Sequence, residues 1–456
     1  MDDAGKSSDP VDPRDTRIAQ LEARIAELEE MIRRLQRGGK RQAAPFSKGL
    51  PKLNPKKPGR KSGDDYGTPP VFRAMPEPAA SDQVIDVPPP EACPVCGSTQ
   101  TLEDRADQQV QRDIEVRTIV RRFVIHQVRC RCCGKVRRGK HPLQTSTATG
   151  CCASQVGPLA RGAMAYFNKA LGVSLGKISS VFDTLWDLPI TAGGVSHAIG
   201  SMGRRCKSDY QAIVRKIKAA DHVTCDETGW RIGGDGHWLH AAATPDTCAY
   251  LIDKARGTNA TDQLIGEDFA GTLVHDGYRS YDRYRKATHQ QCLTHLIRRC
   301  SEMIESATVG AAAFPATIKA ILQKALLLRD ERDARKRSLR STRIWATRLT
   351  KKVLKLSKPR KTNHNNERLA AFLYRHADPL FTFLRQQRTD ATNWRGEHAM
   401  RQAVVNRKVW GGNRTRAGAD VQAILMSVMR TLKLRGVNPI AWLRQKLLNH
   451  HRHALA

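Results

Sequence analysis

The chain has 456 residues, long enough for several domains and a sizeable core. Lys and Arg number 77 against 44 Asp and Glu, a net charge of +33 that points to a polyanionic partner and says nothing of fold. No run approaches the roughly 20 apolar residues that span a bilayer, which disfavours lipid and leaves DNA or RNA.

The N-terminus is acidic and polar (Met1, Asp2, Asp3), unlike a signal peptide. Twelve Cys fall in uneven clusters, a pattern that favours metal binding over disulfides. An intracellular, nucleic-acid-binding protein of the cytoplasm is expected.

Within residues 16–37, Ile18, Leu21, Ile25, Leu28, Ile32 and Leu35 recur at heptad spacing, with Ile at a and Leu at d as in parallel dimers. This coiled coil is short, so an amphipathic helix packed on the body is the competing reading. Gly38 and Gly39 separate it from that body and favour self-association, as a homodimer or a higher homo-oligomer. Residues 38–62 hold eight Lys or Arg, no acid and four Pro. Together with the Pro-rich stretch up to residue 92 they form a linker, either a phosphate-contacting arm or a solubilising tether.

Residues 93–134 carry two matching knuckles, Cys93-x-x-Cys96-Gly97 and Cys130-x-x-Cys133-Gly134. Four thiolates on two knuckles, joined by the two strands expected between Val110 and Val128, make a zinc ribbon. Cys93, Cys96, Cys130 and Cys133 would hold a structural Zn²⁺, leaving Cys132 spare. Cys151 and Cys152 have no partner pair at ligand spacing.

Residues 156–220 read as helices over 159–171 and 175–186, then a third from the N-cap Thr191 to about 207. Helix, short turn and capped helix outline a helix-turn-helix that offers Ser196, His197, Ser201, Arg204 and Arg205 to DNA. A plain helical bundle would look the same.

The apolar runs at 222–225 and 272–275 read as strands, and each delivers an acid, Asp226 and Asp276, to a strand end. A hairpin over 230–242, a strand at 248–252 and a short helix at 259–268 lie between them. Three antiparallel strands, a helix and another acid-bearing strand outline an RNase H-like core. Cys292 and His295 lie three apart, on one face of a helix, but a metal would need two more ligands and none is nearby in sequence.

From Arg329 to Lys361 there are 14 Lys or Arg against three acids, interleaved with Ile344, Leu349, Val353, Leu354 and Leu356. This reads as a basic all-helical insertion that either contacts DNA or forms a solvated face. Glu397, Arg401 and Lys408 then fall on one helical stripe, a carboxylate and two cations suited to a metal and a phosphate. A flexible basic loop, Gly411 to Arg416, follows beside Trp410, then a helix from 421 to 434 closed by Gly436 and Pro439.

The ordered set Asp226-Glu227-Thr228-Gly229-Trp230, His275-Asp276-Gly277-Tyr278, Cys292-x-x-His295 with Arg298 and Arg299, Glu397 with Arg401, and Arg407-Lys408 resembles the DDE transposases of the insertion sequence 66 family (TnpC type). The knuckles and the N-terminal seam match that family's layout, and the resemblance covers nearly the whole chain. It implies a multidomain α/β protein. An RNase H-like catalytic core (221–299 and 391–418) would carry the insertion (300–390). Preceding it would be the coiled coil (16–37), the linker (38–92), the zinc ribbon (93–134) and the helical DNA-binding region (156–220); C-terminal helices (419–456) would follow.

The resemblance further implies Asp226, Asp276 and Glu397 as catalytic and metal-binding acids. They would hold two Mg²⁺ (or Mn²⁺) and cleave and join double-stranded DNA at the ends of an insertion sequence. Arg401, Arg407, Lys408, Arg414 and Arg416 would contact DNA, the Cys292-x-x-His295 pair would position the active-site helix, and helper proteins and a bacterial nucleoid location come with the family. Glu367, in Asn365-Asn366-Glu367-Arg368, competes with Glu397 for the third acid. This chain departs from the pattern at Trp394, Gly396 and His398. Those departures are the support for a rival reading, a catalytically impaired DNA-binding or regulatory protein.

Overall fold

The computed structural model describes residues 18, 20–25, 27–29, 84–88, 90–100, 109, 114, 117–150, 156–307 and 310–448. The linker up to residue 83, Ile32 and Leu35 of the heptad seam, the Cys151–Cys152 pair and the tail after residue 448 lie outside them. The chain divides into two compact units, Met1–Val116 and Arg117–Ala456.

In the first unit the described residues between 18 and 29 are helical, and Arg24 pairs with Glu27 at 2.6 Å. Ile18, Leu21, Ile25 and Leu28 are all exposed.

The second unit opens with a small antiparallel hairpin, β1 (Gln127–Arg129) and β2 (Val136–Arg138). The hairpin encloses the second knuckle. Among the described residues of the two strands expected between 110 and 128, only Gln127 and Val128 are strand, and 117–126 are irregular.

Four helices follow: α1 (Pro158–Lys169), α2 (Leu175–Trp186), α3 (Ala192–Arg205) and α4 (Lys207–Lys218). Thr191 caps α3 as expected, its hydroxyl accepting from Gly194 N–H. The third helix stops at Arg205, and a fourth starts at once. Apolar faces of all four share one core with the sheet below, through Met164, Phe182, Ile199, Met202 and Ile213. Each fully buried side chain of this size contributes roughly 1.5–3 kcal/mol.

The sheet has five strands in the order β5-β4-β3-β6-β7. β3 (His222–Ile232), β4 (Asp235–Ala243) and β5 (Cys248–Asp253) form an antiparallel meander. After α5 (Thr258–Ile265) the chain crosses over to β6 (Thr272–His275), parallel to β3, and then to β7 (Thr288–Gln291), parallel to β6. β3 is one continuous strand, so Asp226 lies in its middle rather than at an end. The reason is that Glu227, Thr228 and Gly229 stay paired with His240, Leu239 and Trp238.

Beyond β7 come α6 (Leu293–Glu305), α7 (Ala313–Asp333), α8 (Leu339–Ser357), α9 (His364–Arg375) and the short α10 (Thr382–Arg385). They bury a separate core that includes Leu296, Leu322, Val353, Leu373 and Phe383. The chain then returns to the sheet. α11 (Trp394–Trp410) and α12 (Arg416–Leu434) cover the face that carries Trp230, Leu239, Tyr250 and Ile252, and α13 (Pro439–Leu448) packs on α1. Among the described residues no helix is long and apolar enough to cross a membrane.

Candidate active site

Side chains alternate along β3, so Asp226 and Glu227 face opposite sides of the sheet. Asp226 shares the face of Trp230 and Ile232, beneath α11. β3 pairs with β6 up to Thr224 and Val274, and continuing that register two steps sets Asp276 beside Asp226. β6 ends at His275, one residue before Asp276. Asp276 Oδ1 accepts from Tyr278 N–H at 2.9 Å, and Asp226 Oδ1 from Glu227 N–H at 3.0 Å.

Glu397 comes from the first turn of α11. The helix approaches β3 so closely that a Cβ on Gly396 would lie 2.9 Å from Asp226 Cβ and 2.4 Å from Asn393 Oδ1. Burial lifts the Asp226 carboxyl from 3.8 to about 7, and the charges of Glu227, Asp276 and Glu397 add to it. Asp226 thus feels both other sequence-predicted acids. Glu367 lies in the first turn of α9, where its Oε2 accepts the Lys361 N–H at 2.7 Å.

Two networks around the acids escaped the sequence reading. Glu227, whose side chain is 2% exposed, takes two hydrogen bonds from Arg256 (3.0 and 2.8 Å) and one from Tyr281 Oη (2.8 Å). The Arg256 guanidinium is stacked by Trp238 and Tyr278, at 4.6 and 3.9 Å from the ring centres. Through Tyr281 on Glu227 and Tyr278 on Arg256, the pair joins β3 to the segment that follows Asp276. On the other side of that acid, Gly277 N–H donates to His275 Nδ1 (3.1 Å), which leaves the proton of His275 on Nε2. Nε2 meets His289 Nδ1 at 3.0 Å, and His289 Nε2 reaches the Tyr284 carbonyl at 2.9 Å. A chain of donors and acceptors thus links Gly277 N–H, the two rings and the Tyr284 carbonyl. Burial, with His289 and His376 nearby, holds His275 well below the ordinary histidine range.

Asn393 is a third missed residue. It is fully buried just ahead of α11; its side-chain amide donates to the Cys225 carbonyl at 3.1 Å and its backbone N–H to Cys292 Sγ at 3.1 Å. It thereby ties α11 to β3 and to the start of α6. Its signal in the sequence was its place just before Trp394, where the pattern departs. Cys292 and His295, with Glu397 as a third member, form a compact cluster of possible ligand atoms, so one of the two ligands that the sequence did not offer comes from α11.

The predicted DNA contacts divide. Arg401 and Arg414 are exposed, and Lys408 is half-buried. Arg407 donates to the Gly229 carbonyl and to Thr228 Oγ1, so it locks α11 onto β3. Arg416 is exposed but pairs with Asp420 at 3.0 Å. The loop between them is pinned rather than flexible. Asn413 exchanges backbone hydrogen bonds with Arg231 and Gly233, and its Oδ1 takes the Trp230 indole N–H at 2.9 Å. On α3, Ser196, His197 and Arg204 face outward, whereas Ser201 accepts from Arg161 and Arg205 donates to the Thr145 carbonyl.

The two knuckles repeat one geometry, each within its own unit. Cys93 N–H donates to the Ser98 carbonyl and Gly97 N–H to the Cys93 carbonyl; Cys130 with Lys135 and Gly134 does the same. Gly97 and Gly134 turn the chain at φ of +73° and +66°, where a Cβ would be strained. Backbone N–H groups aimed at sulfur, from Cys96 and Val95 in one knuckle and Cys133 and Cys132 in the other, lower the Cys93 and Cys130 thiols below their usual range.

A mixed five-stranded sheet, with Asp226 on one strand, Asp276 just past the end of its neighbour and Glu397 on a returning helix beyond a helical insertion, is the kind of α/β domain that transposases use. The chain matches the family described as "Transposase IS66 family" over residues 154–421, more than half its length, and belongs to that family. It is also 21% identical to the uncharacterized protein y4hP of Sinorhizobium fredii (strain NBRC 101917 / NGR234), over 83% of this chain and 74% of that one. A transposase-related function, with DNA as the partner, follows from the family.

Proposed function

We propose that the chain nicks and rejoins DNA strands at the ends of an insertion sequence, with Asp226, Asp276 and Glu397 as the acid set. What supports this is geometry: α11 carries Glu397 in its first turn and approaches β3 so closely that Gly396 lies against Asp226, whose carboxyl is raised by burial and by the charges of Glu227, Asp276 and Glu397. Asp276 and Glu397 are near enough for their charges to reach Asp226, and three carboxylates would suit a hard divalent ion, which prefers oxygen donors and keeps water. Bound by the three acids, two Mg²⁺ (or Mn²⁺) would polarise the scissile phosphate and activate the attacking water or 3′-hydroxyl. The protein's part is positioning. Glu227 and Arg256 brace β3 against the segment after Asp276, the His275–His289 relay fixes that segment from behind, and Asn393 and Gly396 set α11 on β3. Arg401, exposed one turn beyond Glu397, would hold a DNA phosphate.

Cys93, Cys96, Cys130 and Cys133 would hold a structural Zn²⁺, and the exposed N-terminal seam would pair two chains. The test is Mg²⁺-dependent nicking of DNA that carries the sequences flanking this reading frame. Asp226→Asn should reduce nicking to background while DNA affinity stays near wild type. Undiminished nicking by that variant would sink the acid assignment. Wild-type protein that binds these ends and never nicks them would favour the regulatory reading.

A further inference from the structure

We propose that Cys292, His295 and Glu397 form a binding site for a thiophilic divalent cation, Zn²⁺ foremost, distinct from the oxygen-donor set around Asp226 and sharing Glu397 with it. Each residue offers one ligand atom, and the three atoms lie within 4.8 Å of one another. Tetrahedral Zn²⁺, with bonds of about 2.0–2.3 Å, needs them to close by roughly 1 Å, within reach of side-chain rotation.

The atoms are prepared for a cation. Cys292 sits at the N-terminus of α6, where the N–H of Asn393 donates to its sulfur and those of His295 and Thr294 also point at it. Burial, with Glu397 adding to it, holds the Cys292 thiol above its usual range and these donors only partly offset that, so a cation at the sulfur would take the place of its proton. His295 Nδ1 and Glu397 Oε1 face each other at 3.7 Å, too far for a hydrogen bond. Both atoms are sealed from solvent with no hydrogen-bond partner. Such atoms cost about 1–3 kcal/mol each when left unpaired, and one cation between them would satisfy both. The rest of each side chain is 33% and 41% exposed, so an ion can enter and a water can complete the fourth position.

Sulfur and imidazole donors select Zn²⁺ over Mg²⁺. Because Glu397 serves both sites, a zinc-loaded chain has its third acid withdrawn from Asp226. That consequence rests on the proposed function; the site itself does not.

The test begins with full-length protein stripped of metal and titrated with Co²⁺. The difference between wild type and Cys292→Ser separates this site from the thiols of the knuckles. Wild type should bind one more Co²⁺ per chain, with a thiolate-to-cobalt absorption band in the near ultraviolet, and Cys292→Ser should lose both. His295→Gln, a change at a half-exposed residue, should lose them too, with circular dichroism reporting that each variant is folded. Equal stoichiometry and identical spectra in wild type and His295→Gln would overturn the site. Separately, Zn²⁺ added in the presence of Mg²⁺ should lower wild-type nicking about tenfold or more. Zinc-insensitive nicking by a protein that shows the extra cobalt site would overturn the sharing of Glu397. A protein that binds the extra cobalt and nicks nothing would count against the proposed function alone.

Discussion

Asp226 is a carboxyl placed where its charge is unwelcome. Its ordinary value is 3.8, and burial with three acidic neighbours lifts it to about 7. Between those values the folded chain keeps a proton that the unfolded chain has released, so stability falls as pH rises through that window. The full lift corresponds to roughly 4 kcal/mol above neutral pH when no cation is bound. Asp226→Asn removes this cost. In chelator at pH 8 the variant should unfold at higher urea than wild type, and the gap should close towards pH 4; a gap that does not change with pH would show that Asp226 bears no such load. Mg²⁺ should narrow the pH 8 gap by stabilising the wild type. The sequence showed Asp226 and Asp276 because each follows a short apolar run. Glu227–Arg256 and His275–His289 were hidden, since nothing local marks residues that meet only after the strands pair.

At the scale of elements, periodicity located most helices and strands, but not where a strand continues past its acid or whether a loop is anchored. β3 runs on because β4 pairs with it residue for residue, and the 411–416 loop is held by Asn413. Both are tertiary effects that no local pattern encodes. The insertion was legible as basic and helical, and the structure adds its direction. On α8, Thr342, Ala346, Leu349 and Val353 face the core, while Arg340, Arg348, Lys351 and Lys355 line one exposed stripe. Aligned cations of this kind track a phosphate backbone. Replacing Lys351 and Lys355 together by Glu should weaken DNA binding and reduce the slope of log affinity against log salt by about 2. Folding stability should change by less than about 0.5 kcal/mol, because both residues are exposed. Unchanged affinity and slope would leave the stripe as a solvated face.

For the whole molecule the open question is how many copies act together. Under the proposed function, cutting and joining the two ends of one element would call for an assembly that holds both ends. The chain offers a seam for this: Ile18, Leu21, Ile25 and Leu28 are helical, in heptad register and between 42% and 55% exposed. A seam of so few heptads is not secure on its own, so helix formation and pairing should be coupled here. The assembly is therefore expected to depend on concentration rather than to be permanent. Leu21→Asp with Leu28→Asp places a charge at two successive d positions, where the partner would bury it. The doubly substituted chain should sediment as a monomer at concentrations where wild type is dimeric or larger. It should keep the pH-dependent stability that Asp226 confers, because the seam lies in the other compact unit. Nicking of single ends should persist while products joined from two ends disappear. A variant that keeps the wild-type mass would move the oligomer interface elsewhere, to the face of α8 or the outer face of α3, and would leave the seam without a role in assembly.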